Sequence, residues 1–195
     1  MADPPRPAAP APLARIVLGV TGGIAAFKAA ELARLFVKAG VAVDVVMTDA
    51  ATRFVTPMTF QALTGRPVAT DLWHPGASNA MDHIELSRGA DLVVVAPASA
   101  DFIAKLAQGR ADDLLSTLYL AFEGPVLMAP AMNNEMWAKA AVQRNVATLV
   151  SDGIEIIGPE EGWLSCRRKG AGRMASPEVI FAAIEARLAG RQSSK

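Results

Sequence analysis

Five runs of apolar residues without polar alternation recur along the chain and are typical of strands buried on both faces. These runs lie at 16–20, 41–47, 91–96, 125–129 and 154–157. The segments between them carry the helical spacing of apolar positions. Because strands alternate with helices, the pattern predicts an open, doubly wound parallel sheet in a three-layer α/β/α fold.

Helix boundaries follow from the same apolar periodicity and from capping residues. Helices are predicted at 24–39, 57–63, 99–108, 112–122 and, in pieces, over 134–150. Ser99 is in position to cap the third of them, and Ser176-Pro177-Glu178 opens a last helix. The pattern weakens at 66–80 and in the Gly- and Arg-rich stretch 158–174, which we expect to be loops.

Composition favours a single globular domain. The chain has 195 residues, 52% of them hydrophobic, which is enough for a sizeable core. We expect this domain at 15–190, between a disordered Pro- and Ala-rich lead-in at 1–14 and a short tail at 191–195. The lead-in lacks the apolar stretch of a signal peptide.

Charge and cysteine content exclude several classes of function. The 19 basic and 19 acidic side chains cancel, so we expect no binding to nucleic acid or to an anionic membrane. No apolar run approaches the ~20 residues of a membrane helix. The single cysteine, Cys166, cannot form an internal disulfide and fits a reducing cytoplasm. With only His74 and His83 beside it, we expect no metal site.

The first strand leads into a glycine turn, Thr21-Gly22-Gly23, at which a helix begins. Such a turn suits a phosphate, because glycine lets backbone N–H groups approach a ligand and the helix N-terminus is partially positive. An ordinary tight turn accounts for the same residues. The dinucleotide fingerprint is absent, and hydroxyls follow other strand ends at Thr48 and Ser99, so the pattern favours a mononucleotide such as FMN over NAD.

Three side chains outside the turn are candidates for chemistry. His83 has acidic neighbours that could orient the ring for general acid–base catalysis, although a structural histidine fits equally. Asn133 lies in a Met- and Asn-rich segment, where its amide can either cap the next helix or hold a substrate carboxylate. Cys166 adjoins basic residues that lower a thiol pKa, although a solvent-facing basic loop has the same composition.

The motifs of the chain resemble those of the flavin-dependent cysteine decarboxylase family. In order, they are TGGIAAFK, MDHIEL, PASADFIAK with ADDLLST, PAMNNEMW and SCRRKGAGRM. The resemblance covers residues 15 to about 188. It implies a flavodoxin-like fold, bound FMN, and self-association as a trimer or a dodecamer of trimers with active sites between subunits.

The resemblance also implies roles for individual residues. The FMN site of the family corresponds to Gly22, Gly23, Ile24, Thr48, Pro97, Ala98, Ser99 and Ala100. The substrate pocket corresponds to Asn133, Met132, Met136 and Arg173. His83 matches the active-site histidine, and Cys166 matches a cysteine that protonates a late intermediate from a flap over the substrate.

The implied activity is the decarboxylation of 4′-phosphopantothenoylcysteine (PPC) to 4′-phosphopantetheine in coenzyme A biosynthesis. Flavin oxidation of the cysteine to a thioaldehyde gives the departing CO2 an electron sink, the ene-thiolate. Return of the hydride, with a proton from Cys166, completes a redox-neutral cycle. Two alternatives stay open: an oxidative decarboxylase of a peptide C-terminal cysteine in modified-peptide biosynthesis, and a flavin-binding regulatory subunit.

One departure from the family bears on this choice. The usual flap has Ala-Cys-Gly where this chain has Ser165-Cys166-Arg167. An arginine adopts a positive φ less readily than glycine does. The sequence therefore supports the resemblance to the family least in the geometry of this flap.

Overall fold

The computed structural model describes residues 14–73, 82–163 and 167–192. Its centre is a six-stranded parallel sheet, ordered β3-β2-β1-β4-β5-β6. The strands are β1 (Arg15–Val20), β2 (Ala42–Met47), β3 (Val68–Ala69), β4 (Leu92–Ala98), β5 (Val126–Pro130) and β6 (Glu155–Ile156). The doubly wound parallel sheet predicted from the sequence is confirmed.

Helices cover both faces of the sheet. They are α1 (Ala26–Lys38), α2 (Asp49–Thr52), α3 (Pro57–Thr64), α4 (Asp82–Gly89), α5 (Ala100–Ala107), α6 (Leu114–Ala121), α7 (Asn134–Trp137), α8 (Ala140–Ser151) and α9 (Pro177–Gln192). Helices α1, α3 and α9 pack on one face, and α4, α5, α6 and α8 pack on the other. The fold therefore has three layers.

Each face of the sheet has its own apolar core, because successive side chains of a strand point to opposite faces. In β1, Ile16 and Leu18 belong to the core under α1, whereas Val17 belongs to the core under α5 and α6. All three side chains are fully buried. Because both faces of β1 are covered by helices, its residues 16–20 form an unbroken apolar run.

Several predicted helix boundaries are confirmed by their capping contacts. Ser99 Oγ accepts a hydrogen bond from the Phe102 N–H at 3.2 Å and caps α5. Gly65 ends α3 with a φ of 67°. At the start of α9, Ser176 Oγ accepts from the Val179 N–H at 3.3 Å. The Ser99 and Ser176 hydroxyls satisfy N–H groups that the first turn of a helix leaves open.

Both predicted loops are wrong in part. The stretch 66–80 contains the edge strand β3, whose two residues are too few to show a period. The stretch 158–174 forms an antiparallel hairpin of β7 (Glu160–Trp163) and β8 (Lys169–Arg173). Exposed and half-buried positions alternate in β7, and β8 is rich in glycine, so neither has an apolar run. The pattern also does not predict α4, which contains His83.

The chain reverses its winding between β1 and β4, whose carboxyl ends therefore border a crevice. One buried side chain joins the two ends. Thr21 Oγ1 donates to the Pro97 carbonyl oxygen at 2.6 Å and accepts from the Ser99 N–H at 2.9 Å. The Thr21 hydroxyl thus has a structural role, and it fixes the spacing of two loops.

A buried carboxylate interrupts the apolar run of β2. Asp44 is 6% exposed, and its two oxygens accept from Arg15 Nε at 2.5 Å and from Arg66 Nε at 2.6 Å. A charge removed from water requires such partners. The three side chains join β1, β2 and the segment that precedes β3.

Some predictions fall on residues outside those described. These are the lead-in except for Ala14, residues 193–195 of the tail, and Cys166. Within the described ranges, no helix has the length and apolar character needed to span a bilayer. The same ranges contain no group of three or more His, Cys, Asp or Glu side chains that could hold a metal ion.

Candidate functional site

A cavity of about 450 Å³ opens at the carboxyl edge of the sheet. It is formed by the glycine turn with the first turn of α1, the start of α5, the segment after β5, and the hairpin with the residue after it. The predicted site residues that line it are Gly22, Gly23, Ile24, Ser99, Ala100, Met132, Asn133, Met136 and Arg173. The fold therefore brings together nine predicted residues from four separate stretches of sequence.

The glycine turn presents open backbone to this cavity. Among the described residues, the N–H groups of Gly22, Gly23 and Ile24 have no hydrogen-bond acceptor. Helix α1 has no side-chain cap, and a Cβ added at Gly23 would meet no atom within 4 Å. Backbone N–H groups without an acceptor at the N-terminus of a helix suit a phosphate, so the turn fits the phosphate of a group such as FMN.

The start of α5 forms a second side of the cavity. Ser99 Oγ caps α5 by accepting from the Phe102 N–H, which leaves the hydroxyl hydrogen for a ligand. Pro97 and Ala98 are buried at the end of β4 and are not among the lining residues. Pro97 supports the loop from the side away from the cavity, because its carbonyl oxygen accepts a hydrogen bond from Thr21 Oγ1.

Thr48, also predicted to bind the cofactor, does not line the cavity. Its Oγ1 accepts from the Ala51 N–H at 3.3 Å and caps the short helix α2. That helix lies against the glycine turn, because a Cβ added at Gly22 would come within 2.5 Å of Ala50 Cβ. In this structure Thr48 therefore supports the turn from outside.

Asn133 caps a helix and lines the cavity at the same time. Its Oδ1 accepts from the Met136 N–H at 2.9 Å, and its Nδ2 donates to Glu135 Oε2 at 3.1 Å. Since the cap needs the oxygen, the NH2 group is fixed as the donor. One of the two N–H groups of this amide has no hydrogen-bond partner in the described part of the chain and can donate to a ligand.

Strand β8 of the hairpin lies directly against this segment. The Met132 N–H donates to the Gly172 carbonyl at 2.9 Å. A Cβ at Gly172 would strike the Met132 carbonyl oxygen, and one at Gly170 would lie 2.8 Å from Asn134 Cβ. Gly172 also has a φ of 143°. These glycines are therefore needed for the hairpin to reach the cavity wall.

Charged side chains gather where the hairpin meets α1. Arg173 Nη2 donates to Glu160 Oε2 at 2.8 Å, and Lys28 Nζ donates to the Met174 carbonyl at 3.2 Å. The hydrogen bond from Arg173 holds the pKa of Glu160 below its ordinary value. Partial burial lowers the pKa of Lys28, and the Arg173 charge lowers it further. An anion in the cavity would meet two cations there, one of them paired with Glu160.

The structure describes one of the two predicted catalytic residues, His83, and places it outside the cavity lining. His83 is half-buried on the first turn of α4, which packs against α6, and it is not among the lining residues. Cys166 lies outside the described residues. Its neighbour Arg167 has a φ of 62°, so an arginine adopts the left-handed conformation where the resemblance expects a glycine.

Seven lining residues are not among the predicted site residues: Ala25, Phe27, Lys28, Ala131, Trp163, Gly172 and Met174. A signal for Lys28 exists, since it lies one helical turn after Ile24 on the same face. Phe27 and Trp163 are 59% and 65% exposed, and they give the cavity an apolar rim. From sequence alone, an exposed aromatic side chain cannot be distinguished from a core one.

Comparison with known proteins identifies the family. The Flavoprotein family matches residues 8–189. The coenzyme A biosynthesis bifunctional protein CoaBC of Haemophilus influenzae is 53% identical over 169 residues, which are 87% of this chain and 42% of that protein. The chain thus spans less than half the length of this curated relative.

Solved structures share the architecture. A PPC decarboxylase mutant complexed with pantothenoylaminoethenethiol has a TM-score of 0.78 and 30% identity, covering 89% of this chain and 97% of that one. The FMN-dependent cysteine decarboxylase SpaF has a TM-score of 0.76 and 35% identity, covering 91% and 96%. The predicted flavodoxin-like fold is confirmed. The family that the sequence motifs resemble is confirmed as well. The chain belongs to the flavoprotein family.

Proposed function

We propose that the chain catalyses the FMN-dependent decarboxylation of PPC to 4′-phosphopantetheine, a carboxy-lyase step of coenzyme A biosynthesis in the cytoplasm. One observation carries the proposal: a single cavity joins an open glycine turn, the amide of Asn133 and the cations Lys28 and Arg173. The identity to CoaBC and the likeness to a PPC decarboxylase mutant add support.

FMN would be held by the backbone of Gly22, Gly23 and Ile24, which donates to its phosphate, and by Ser99 and Ala100. When bound, FMN supplies the two-electron oxidation of the cysteine that makes CO2 loss possible, and the return of those electrons. The protein binds and orients the reactants. Its apolar rim limits the access of water to them.

The substrate carboxylate would be bound by the free N–H of Asn133, with Met132 and Met136 as an apolar wall. A neutral amide orients the carboxylate without the charge pairing that would stabilise it against CO2 loss. The phosphate at the other end would meet Arg173 and Lys28, whose positive charges suit it.

His83 would take the thiol proton of the substrate as a general base, in the cavity of a neighbouring copy. In its own chain it does not line the cavity, whereas the cavity opening carries the exposed apolar side chains Ile24 and Phe27. We therefore propose a homo-oligomer, a trimer or a dodecamer of trimers, with sites between subunits.

Subunit mixing tests this arrangement. His83→Asn should abolish decarboxylation while FMN stays bound, and Asn133→Ala should raise KM strongly. Co-expression of both variants should restore activity in mixed oligomers, because some sites then combine an intact His83 with an intact Asn133. Absence of recovery in oligomers shown by native mass spectrometry to be mixed contradicts a shared site.

Cys166, which adjoins the basic residues at 167–169 in the sequence, would return a proton to the late intermediate. Cys166→Ser should release CO2 once and then accumulate an oxidised product or reduced flavin. Normal turnover by this variant would remove Cys166 from the mechanism. Product mass and the flavin spectrum, followed together, report both outcomes.

The decisive experiment gives the FMN-loaded protein PPC and follows product mass with the flavin spectrum. Formation of 4′-phosphopantetheine, with the flavin returning to its oxidised state, supports the proposal. Bound flavin without turnover of PPC contradicts it. A peptide ending in cysteine is the second substrate to offer, since the Ser165-Cys166-Arg167 departure and the likeness to SpaF favour that alternative. Turnover of neither favours a regulatory flavin-binding role.

A further inference from the structure

The amide of Asn133 is held on two sides by neighbours in its own turn. Its oxygen is used by the Met136 N–H at 2.9 Å, and one N–H is used by Glu135 Oε2 at 3.1 Å. The remaining N–H is the one proposed for the substrate carboxylate. The hydrogen bond to Glu135 thus determines the orientation of the Asn133 amide, although Glu135 itself is not among the cavity-lining residues.

The other oxygen of Glu135 is engaged by the hairpin. Arg168 Nη1 donates to Glu135 Oε1 at 2.6 Å, across 33 residues of sequence. The neighbouring backbone is already fixed, because the Met132 N–H donates to the Gly172 carbonyl. Asn133, Glu135 and Arg168 therefore form one hydrogen-bonded chain that runs from the cavity to the start of β8.

The charge of Glu135 matters because of where it lies. A carboxylate bound to the second N–H of Asn133 would be about 5 Å from Glu135 Oε2, since one nitrogen would donate to both oxygens. Two like charges at that distance repel each other measurably even near water. Arg168 compensates the charge of Glu135 and so removes this repulsion.

We infer that Arg168 and Glu135 are a positioning pair for the carboxylate end of the substrate. Glu135 orients the Asn133 amide, and Arg168 compensates the negative charge that Glu135 brings to the subsite. The inference rests on the proposed function, because it takes Asn133 as the ligand of a carboxylate. It makes Arg168 a determinant of specificity for a substrate that carries a free carboxylate.

The test compares two ligands that differ only in this charge. They are 4′-phosphopantothenoylserine, which has the carboxylate but no thiol, and its carboxamide, both titrated into the FMN-loaded protein by calorimetry at low ionic strength. Arg168→Gln should weaken the carboxylate ligand about 3- to 10-fold and leave the carboxamide unchanged. The double variant Glu135→Gln with Arg168→Gln should recover the wild-type affinity within about 2-fold, because both charges are gone.

A merely structural role predicts a different result, namely equal weakening of both ligands and no recovery in the double variant. Arg187→Gln is the matched control, since Arg187 forms an exposed ion pair with Glu155 at 3.0 Å away from the cavity. It should bind both ligands as the wild type does. For turnover of PPC, Arg168→Gln should raise KM while kcat stays within about 2-fold.

Failure of the inference and failure of the proposed function are distinguishable. If the wild type binds neither ligand and does not turn over PPC, the proposed function is wrong and the inference with it. If the wild type turns over PPC and Arg168→Gln binds both ligands normally, only the inference is overturned. Loss of the carboxamide together with the carboxylate also overturns it.

Discussion

Gly172→Ala tests whether the close approach of the hairpin to the segment after β5 shapes the cavity. The added Cβ would strike the Met132 carbonyl oxygen, and the alanine would have to keep a φ of 143°. The contact can be relieved only by moving β8 away from that segment. Such a movement lengthens the 2.9 Å bond from the Met132 N–H to the Gly172 carbonyl.

The expected magnitude follows from these two contacts. A left-handed backbone costs a residue with a Cβ about 1–2 kcal/mol, and losing a backbone hydrogen bond costs about 0.5–1.5 kcal/mol. Together these costs amount to about 1.5–3.5 kcal/mol. Because the hairpin is not part of the central sheet, we expect a local displacement of β8 rather than unfolding of the sheet.

Hydrogen exchange measures this displacement directly. Exchange at the Met132 amide should accelerate roughly 10- to 400-fold, the equivalent of about 1.5–3.5 kcal/mol, while β1 and β4 are unchanged. The KM for PPC should rise, and the Kd for FMN should not, since the glycine turn is untouched. Gly109→Ala is the matched control, with a φ of 64° but no atom within 4 Å of the added Cβ. Unchanged exchange at Met132, or an equal effect of Gly109→Ala there, refutes the reasoning.

Three further predictions concern stability. Asp44→Asn leaves two arginines without their carboxylate and should lower the free energy of unfolding by about 1–3 kcal/mol in urea titrations, whereas Asp49→Asn, at an exposed pair, should not move the midpoint. The folded-state pKa of Glu160 lies below its ordinary value of 4.5, so its stabilising effect is present above that value and is lost as pH falls through the lowered pKa. Glu160→Gln should therefore be less stable than wild type at about pH 7 and converge with it as pH falls through the lowered pKa, and parallel stability curves would contradict this. At the φ of 62° of Arg167, a β-branched valine is more strained than glycine, so Arg167→Val should reduce amide protection in the hairpin and Arg167→Gly should not.

The parts of the fold that follow from the sequence are those determined by near neighbours along the chain. The run that became β1 is apolar throughout because both of its faces are covered. Ser99 was predictable as a cap because its partner, the Phe102 N–H, lies three residues away. Eight of the nine predicted lining residues converge because they follow the ends of β1, β4 and β5 at the same edge of the sheet, whereas Arg173 comes from the hairpin.

The remaining features depend on contacts between residues far apart in sequence. Gly172 reads as a loop glycine, yet what requires it is the carbonyl of Met132, 40 positions earlier. The hairpin packs against the cavity wall instead of a core, so it lacks the apolar alternation of a core strand. Lys28 follows Ile24 by one helical turn, but its hydrogen bond to the Met174 carbonyl exists only because the fold places α1 beside that residue.

The hydrogen bonds of the Thr21 hydroxyl determine which parts of the cavity can change between related proteins. The hydroxyl ties the ends of β1 and β4 together through the Pro97 carbonyl and the Ser99 N–H, so a ligand in the crevice meets a wall that is already ordered and loses no affinity to ordering it. The hairpin, by contrast, lies outside the central sheet and has an arginine at a left-handed position. Mutation can therefore alter the hairpin side of the cavity, where the substrate would bind, while the wall formed by the ends of β1 and β4 stays unchanged. New substrates can then be accepted on this fold without a new cofactor site.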